Sequence, residues 1–404
     1  MKGYKAFKKG LICDPTGQNP FQYAENTVFE TDTAEPCKSG FHFCKNPLDT
    51  LDYYPLIDGN GNMTEFAVVE ALDDVKTDDN KKYCTKKLKI GAKLTLPQFI
   101  KASIDVTFEN IKTEVEKEKK KIKNSGDNAK LAGGDNAKLA GGDNAELAGG
   151  DGAELVGGAC AKLVGGDGAE LVGGACAKLV GGDGAELVGG NWAKLAGGDG
   201  AELAGGDNAE LAGRNWAKLA GGVGAKLVGG NWAKLAGGDN ATLAGGNCAE
   251  LAGGDGAKLA GGNWAKLAGG NWAELVGGDN ATLAGFDNAK LAGGDNATLA
   301  GGVGAKLAGG NNATLAGGDW AELVGGDNAE LVGGDNAELV GGKNSLMIGN
   351  SRSIAKGKKG AVILLVERDM DYNILNFNAV QVDGKKIKED TFYKLENGNF
   401  VEVK

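Results

Sequence analysis

"DNAKLAGGDNAKLAGGDNAELAGG", residues 127–150, is three copies of one octapeptide, and the unit runs on to Gly342, 27 copies without insertion or deletion. The consensus is D-N-A-[K/E/T]-L-[A/V]-G-G. Its third residue is Ala and its fifth Leu in every copy, and the seventh is always Gly. The eighth is Gly except at Arg214 and Phe286, and the sixth is only Ala or Val. The second varies most, through Asn, Gly, Cys160, Cys176, Cys248 and all six tryptophans of the chain. Strict repetition at a fixed short period is the mark of a solenoid, whose units bury an apolar face only by stacking on neighbours.

Ala, Lys, Glu and Leu favour helices, but paired Gly every eight residues costs about 1 kcal/mol per Gly and leaves no run long enough to persist. A short strand closed by a Gly turn fits the pattern instead. Strand alternation puts the invariant Ala and Leu on an inner face and the Lys, Glu or Thr between them outside. The invariant seventh Gly predicts either a positive φ or a close backbone approach. The Arg and Phe at the eighth position predict a direction open to solvent. Two units per coil give a flattened 16-residue turn whose thin interior suits Ala and Leu. Three give a triangular 24-residue turn that sets Glu154 over Lys178 and Lys162 over Glu186, a favourable cross-strand pairing; the shorter coil stacks Glu154, Glu170 and Glu186 instead. Exposed ion pairs contribute little, so core volume favours the shorter, 16-residue coil.

The chain is therefore expected to be mainly β in three parts. Residues 1–125 form a small α+β domain, 126–357 the solenoid with regular copies over 127–342, and 358–404 a small antiparallel β cap. In the first part, "EFAVVEAL" (65–72) and "KLKIGAKLTL" (87–96) read as strands. Pro97 opens a helix over about 97–123, with Ile100, Ile104, Phe108, Ile111 and Val115 at helical spacing, placed to cover the open first coil. Past the array, "SLMIGNSRSIAKGKK" resembles one or two decayed repeats. "AVILLVERD", "FNAVQVDGKKI", "TFYKL" and "NFVEV" then read as strands, with tight turns at Asp383-Gly384 and Asn397-Gly398.

The array carries a net charge of −14 and the flanks +4 of the total −10, which argues against nucleic acid along the rod. Seven Cys, three of them repeat-variable, predict free thiols in a reducing compartment. The start "MKGYKAFKKGLICDPTG" lacks an apolar signal core and no 18-residue apolar run exists, so neither export nor a membrane is expected.

Several clusters invite a chemical reading. Cys37, His42 and Cys44 in "CKSGFHFC" carry zinc-ligand chemistry, but the spacing is not paired CxxC, and packing residues in a strand are the plainer reading. The array nearly matches a calcium-binding nonapeptide, yet its carboxylate gives way to Lys or Thr in 16 of 27 copies, which would break a hard-cation cage. No cofactor is expected. Trp192, Trp216, Trp232, Trp264, Trp272 and Trp320 sit beside the turn, where variability implies exposure. There they would form an apolar stripe of the kind that marks contact surfaces; the rival is that each indole lies flat over bare Gly backbone.

"SGFHFCKNPLDTLDYY" (39–54), "KIGAKLTLPQFIKAS" (89–103), the array and "VDGKKIKEDTFYKLENGNFVEV" (382–403) together resemble an uncharacterised family of phage- and prophage-encoded octapeptide-repeat proteins. The resemblance implies a phage-linked origin, a solenoid, and residence in the host-cell cytoplasm or the virion, with no established activity. "GFHFCKNPLDTLDYY" also resembles the Gly-aromatic-Phe strand and downstream Tyr of ADP-ribosyltransferases, which implies a nucleotide site near His42 and Tyr54. The leading expectation is a non-enzymatic β-solenoid scaffold that presents an acidic, Trp-bearing surface to a protein partner or to itself, with a homo-oligomer as one outcome. The alternatives are a nucleotide-acting N-terminal domain on a solenoid spacer and a virion adhesin or tail accessory protein.

Overall fold

The computed structural model of the chain describes residues 1–13, 20–36, 38–54, 64–94, 98–99, 102, 106 and 126–403. They divide into two compact units, Met1–Thr242 and Leu243–Lys404, and the repeats adopt one coil geometry in both.

Each repeat supplies a turn at its first two positions and a strand at its fourth to sixth, extended to the seventh in the last two copies. Strands β10 (Lys130–Ala132) to β36 (Glu338–Gly341) are these 27 array strands. Within each unit a strand pairs in parallel with the strand two repeats on: Glu154–Val156 faces Glu170–Val172, and Lys162–Val164 faces Lys178–Val180. Two repeats thus make one coil, the shorter of the two expected, and alternate repeats form two opposed parallel sheets. From Ala145 to Leu339 every third-position Ala and fifth-position Leu is buried; in the first coil, Ala129 and Leu131 are half-buried. The predicted like-charge ladders accompany this coil: Glu154, Glu170, Glu186 and Glu202 stack in one sheet, Lys162, Lys178 and Lys194 in the other. Magnitudes show why the ladders are tolerated. Burying one Leu contributes about 1.5–3 kcal/mol, while neighbouring exposed like charges cost a fraction of 1 kcal/mol. The ladders also end on opposite charges, Lys138 on Glu154 at 2.7 Å and Lys194 on Glu210 at 2.8 Å.

The glycines divide their tasks differently from the sequence expectation. The seventh Gly has no positive φ; that conformation belongs to the second position, where Asn, Gly, Cys and Trp all lie near +60°. The seventh is Gly because the chain turns inward against the next repeat: a methyl placed on Gly261 would lie 2.6 Å from Ala265 Cβ. The eighth position is not simply open. A Cβ at Gly230 would meet Asn215 Oδ1 at 2.6 Å. Arg214 and Phe286 fit with their side chains directed outward, and the Phe286 N–H reaches the Gly270 carbonyl at 3.4 Å against 2.9 Å for Gly166 to Gly150. The first position gains a reason too. Its Asp or Asn Oδ1 accepts the N–H of the first residue one coil on, as from Asp143 to Asp127 at 3.0 Å and from Asp183 to Asp167 at 2.8 Å.

In the first unit, residues before the array build a seven-stranded antiparallel sheet. Its strands are β1 (Lys2–Phe7), β4 (Val28–Glu30), β5 (Phe41–Cys44), β6 (Glu65–Ala71), β7 (Val75–Thr77), β8 (Lys82–Thr85) and β9 (Lys87–Leu94), in the order β4-β9-β6-β1-β5-β8-β7. A separate hairpin pairs β2 (Ile12–Cys13) with β3 (Phe21–Gln22), and Pro47–Asp52 is a 3₁₀ turn capped by the Asn46 side chain. Of the expected helix, Gln98, Phe99, Ala102 and Val106 are helical and Phe99 stacks on Phe66; the remainder lies outside the described residues.

This domain lies against a flank of the coils. Lys234 Nζ donates to Asp52 Oδ1 at 2.8 Å and to the Leu51 carbonyl at 3.3 Å, and Asn46, Leu48 and Asp49 face Val188, Ala204 and Ala220 across a small cleft. Those three outward sixth-position residues are almost fully buried, whereas Val164, Val180 and Val228 of the opposite sheet are about half exposed.

In the second unit the coil register outlasts the consensus. β37 (Leu346–Gly349), β38 (Ile354–Gly357) and β39 (Val362–Arg368) pair in parallel with the strands one coil earlier. Ser345 and Ser353 replace the third-position Ala and remain buried because each hydroxyl donates to a carbonyl, of Gly342 and Gly334. Antiparallel strands then finish both sheets: β40 (Ile374–Gln381) on β39, and β41 (Tyr393–Glu396), itself paired with β42 (Asn399–Glu402), on β38.

Replacing Gly261 by Ala overfills the Gly–Ala contact and is expected to destabilise the second unit by about 1–3 kcal/mol. The double change Gly261→Ala with Ala265→Gly recovers most of that loss, measured by denaturant unfolding. A single variant as stable as the native chain would show that the contact is slack.

Candidate functional site

Two features stand out, a cavity in the N-terminal sheet and the turn edges of the coils. The cavity, about 530 Å³, is lined by β1, β5, the hairpin and the 3₁₀ turn, and both His42 and Tyr54 border it. Its lining includes a buried residue that the sequence motifs do not mark, Lys5. Alternation along "KGYKAF" places Lys5 on the same face as Phe7, which is fully buried in the core, and Lys5 itself is only 6% exposed. Its Nζ donates to the His42 carbonyl at 2.7 Å and lies 5.3 Å from the centre of the Tyr23 ring and 5.7 Å from that of Phe7. That parity with Phe7 was the available signal.

Burial works against charge on Lys5, Tyr23, His42 and Cys44. Burial lowers the Lys5 ammonium below its ordinary range, with nearby Cys13 and Cys44 opposing. Burial pushes the Cys44 thiol up to about 12 and the Tyr23 phenol well above its usual value. His42 is pushed down to about 4, first by burial and then by Lys5 and Lys82, so its ring is neutral at pH 7. Its Nε2 is buried with no hydrogen-bond partner among the described residues. The Cys13 Sγ lies 3.1 Å from the Tyr54 hydroxyl. Toward solvent, Lys82 sits 4.3 Å above the Tyr53 ring. No carboxylate is among the described lining residues.

For the zinc reading, strand register sets His42 opposite Cys84 and two residues from Cys44, while Cys37 lies outside the described residues. Among the described residues no group of three His, Cys, Asp or Glu could hold a metal ion. Cys13, Cys44, Cys160, Cys176 and Cys248 are free thiols.

The tryptophans do not form one stripe. With two repeats per coil, neighbouring repeats turn at opposite edges, so Trp216 and Trp232 share one edge while Trp192, a whole number of coils from neither, takes the other. Trp216 and Trp232 stack with ring centres 5.2 Å apart and planes within 5°. In the second unit Trp264 and Trp272, one repeat apart, lie on opposite edges, and Trp320 is three coils from Trp272. All six are 51–67% exposed and all have φ between +60° and +63°. A left-handed conformation costs a bulky L-residue about 1–2 kcal/mol, and Asn or Gly much less. A further exposed apolar group, Met370, Tyr372, Ile374, Leu375 and Phe377, lies at and before strand β40. Its "ILNF" start shows no alternation that would have flagged it.

A family model described as a domain of unknown function (DUF7666) matches residues 1–102. No curated protein and no solved structure matches the chain. Among the described residues no helix is long and apolar enough to cross a membrane.

The His42 imidazole stays neutral in the folded chain to about pH 4, while an unfolded one titrates near 6.5. Below 6.5 the unfolded chain takes the proton first, so this contribution is complete above 6.5 and lost as pH falls toward 4. Asp49, pushed up to about 6 chiefly by burial, acts in the opposite sense over the same window. The informative quantity is thus a difference: His42→Gln should lose less stability than the native chain between pH 6.5 and 4, followed by hydrogen exchange at Phe41–Cys44. Equal slopes would remove His42 from the account.

For the edges, Trp272→Asn relieves the left-handed strain and should raise stability by up to about 1 kcal/mol. A fall in melting temperature would instead mean that the indole stabilises its own turn.

Proposed function

We propose that the chain is a non-enzymatic β-solenoid scaffold whose tryptophan-bearing edges dock a protein partner or a second copy. One observation carries this reading: six tryptophans occupy left-handed turn positions while at least half exposed. Within the chain they combine backbone strain with unburied apolar area, and Asn or Gly serves the same position elsewhere without either. Such residues gain their stabilisation from a surface outside the chain, where Trp, Tyr and Arg are the enriched anchors. Their setting of Asp and Asn ladders, in an array of net charge −14, favours a partner with apolar pockets and a basic rim.

The phage or prophage origin implied by the sequence resemblance belongs to this reading, as does residence in the host cytoplasm or the virion. Finding the protein in purified particles would favour an adhesin or tail accessory role. The alternative of a nucleotide-acting N-terminal domain draws on His42 and Tyr54 bordering one cavity. That cavity offers no described carboxylate as acid or base, so binding suits it better than turnover.

The test compares the native chain with a variant carrying Asn at all six Trp positions, by sedimentation velocity across concentration and by cross-linking in its native host. The variant should fold with equal or greater stability and lose the association. Native chain that stays monomeric and cross-links to nothing, or association that survives the replacement, would sink the proposal.

A further inference from the structure

We propose that the N-terminal cavity binds a small aromatic carboxylate, with its ring among the cavity's aromatic side chains and its anionic head on Lys5. This site is separate from the rod's edges and stands or falls independently of them.

A buried ammonium is costly unless an anion pairs with it. Lys5 has a carbonyl at 2.7 Å, a hydrogen bond with the Cys13 side chain and two aromatic faces, which moderate that cost without cancelling the charge. No carboxylate borders the cavity among the described residues. A lysine needed only to bond the His42 carbonyl and the Cys13 side chain would not need the open space beside it. The cavity of about 530 Å³ falls in the size range of small-molecule sites, which pair a largely apolar lining with a few placed polar groups. Phe21, Tyr23, Phe41 and Tyr54 supply aromatic walls that favour a flat ring in offset or edge contact. The buried His42 Nε2, without a partner among the described residues, offers a second polar contact.

The charge pattern narrows the ligand class. Among the described lining residues Lys5 is the one buried cation, with Lys38 and Lys82 also on the lining, so a cationic ligand is repelled and a neutral one leaves Lys5 without a counter-charge. A monoanion matches the single buried ammonium, whereas a dianion carries a second charge into the apolar interior. Carboxylate meets an ammonium in a charge-assisted hydrogen bond, stronger than a neutral one. Binding stabilises the protonated lysine, so affinity declines as rising pH deprotonates it.

The experiment titrates the full chain with 2-naphthoate, read by its fluorescence, beside 2-naphthamide, which has nearly the same shape without the charge. The expected result is one saturable site for the acid, with the amide weaker by about tenfold or more, as loss of a charge-assisted bond implies. Affinity for the acid should fall with increasing pH. Lys5→Met, which keeps the length and removes the charge, should weaken the acid by a similar factor without lowering the melting temperature. Phe21→Ala should weaken acid and amide alike. No saturable binding, equal binding of acid and amide, or undiminished affinity in a folded Lys5→Met would each overturn the proposal. Should Lys5→Met fail to fold, the acid–amide comparison and the pH series on the native chain decide it, and an affinity that does not fall with pH overturns it.

Discussion

The contact between the seventh-position glycine and the third-position alanine of the next repeat sets the geometry of everything else in the array. At Gly261 a single added methyl would come within 2.6 Å of Ala265, so the two turns of backbone lie as close as side chains allow. That closeness makes the coil thin, and a thin coil filled by Ala and Leu closes in two repeats. Once it closes in two, each side chain sits on its counterpart two repeats on. Leu then stacks on Leu, the first-position Asp and Asn chain their Oδ1 atoms to successive backbone N–H groups, and alternate repeats turn at opposite edges. The split of the tryptophans between two edges follows from the same arithmetic.

Surface charge yields to this constraint. Stacked Glu and stacked Lys are the cost of the shorter coil, and they persist because each coil buries two Leu side chains worth far more than the repulsion at an exposed ladder. The N-terminal domain makes use of what the ladders leave. It rests where sixth-position side chains are small, over Ala204 and Ala220, and ties Asp52 to Lys234. Burial alone would raise the Asp52 carboxyl, but the Lys234 ammonium overrides it and holds that carboxyl below the usual range.

Much of this was legible in the chain. Invariance of Ala and Leu showed the inner face, and core volume pointed to two repeats per coil against a charge pattern that suggested three. Other parts were misread for definable reasons. An invariant Gly has two explanations, positive φ or close approach, and the octapeptide alone does not separate them; the structure assigns close approach to the seventh position and positive φ to the second. Phe286 and Arg214 suggested open space at the eighth, yet a side chain that leaves outward still carries a Cβ that the neighbouring Asp or Asn crowds. Lys5 went unremarked because a lysine in a short strand reads as solvent-facing, although its parity with buried Phe7 implied the opposite. The decayed repeats expected after Gly342 are coils, and the register runs one strand further, to Arg368, because Met, Ile and hydrogen-bonded Ser fill the inner positions as well as Leu and Ala.

The sequence by itself determined the strand, its inner face and the eight-residue period, because these depend on local alternation and on which positions never vary. Only the tertiary structure decided which residues meet across the coil, where the N-terminal sheet rests, and that a lysine lies in an aromatic cavity without a described acid beside it. Those outcomes depend on distances between segments far apart in the chain. Repetition carries no record of them, since each copy of the unit is compatible with every neighbour it might have.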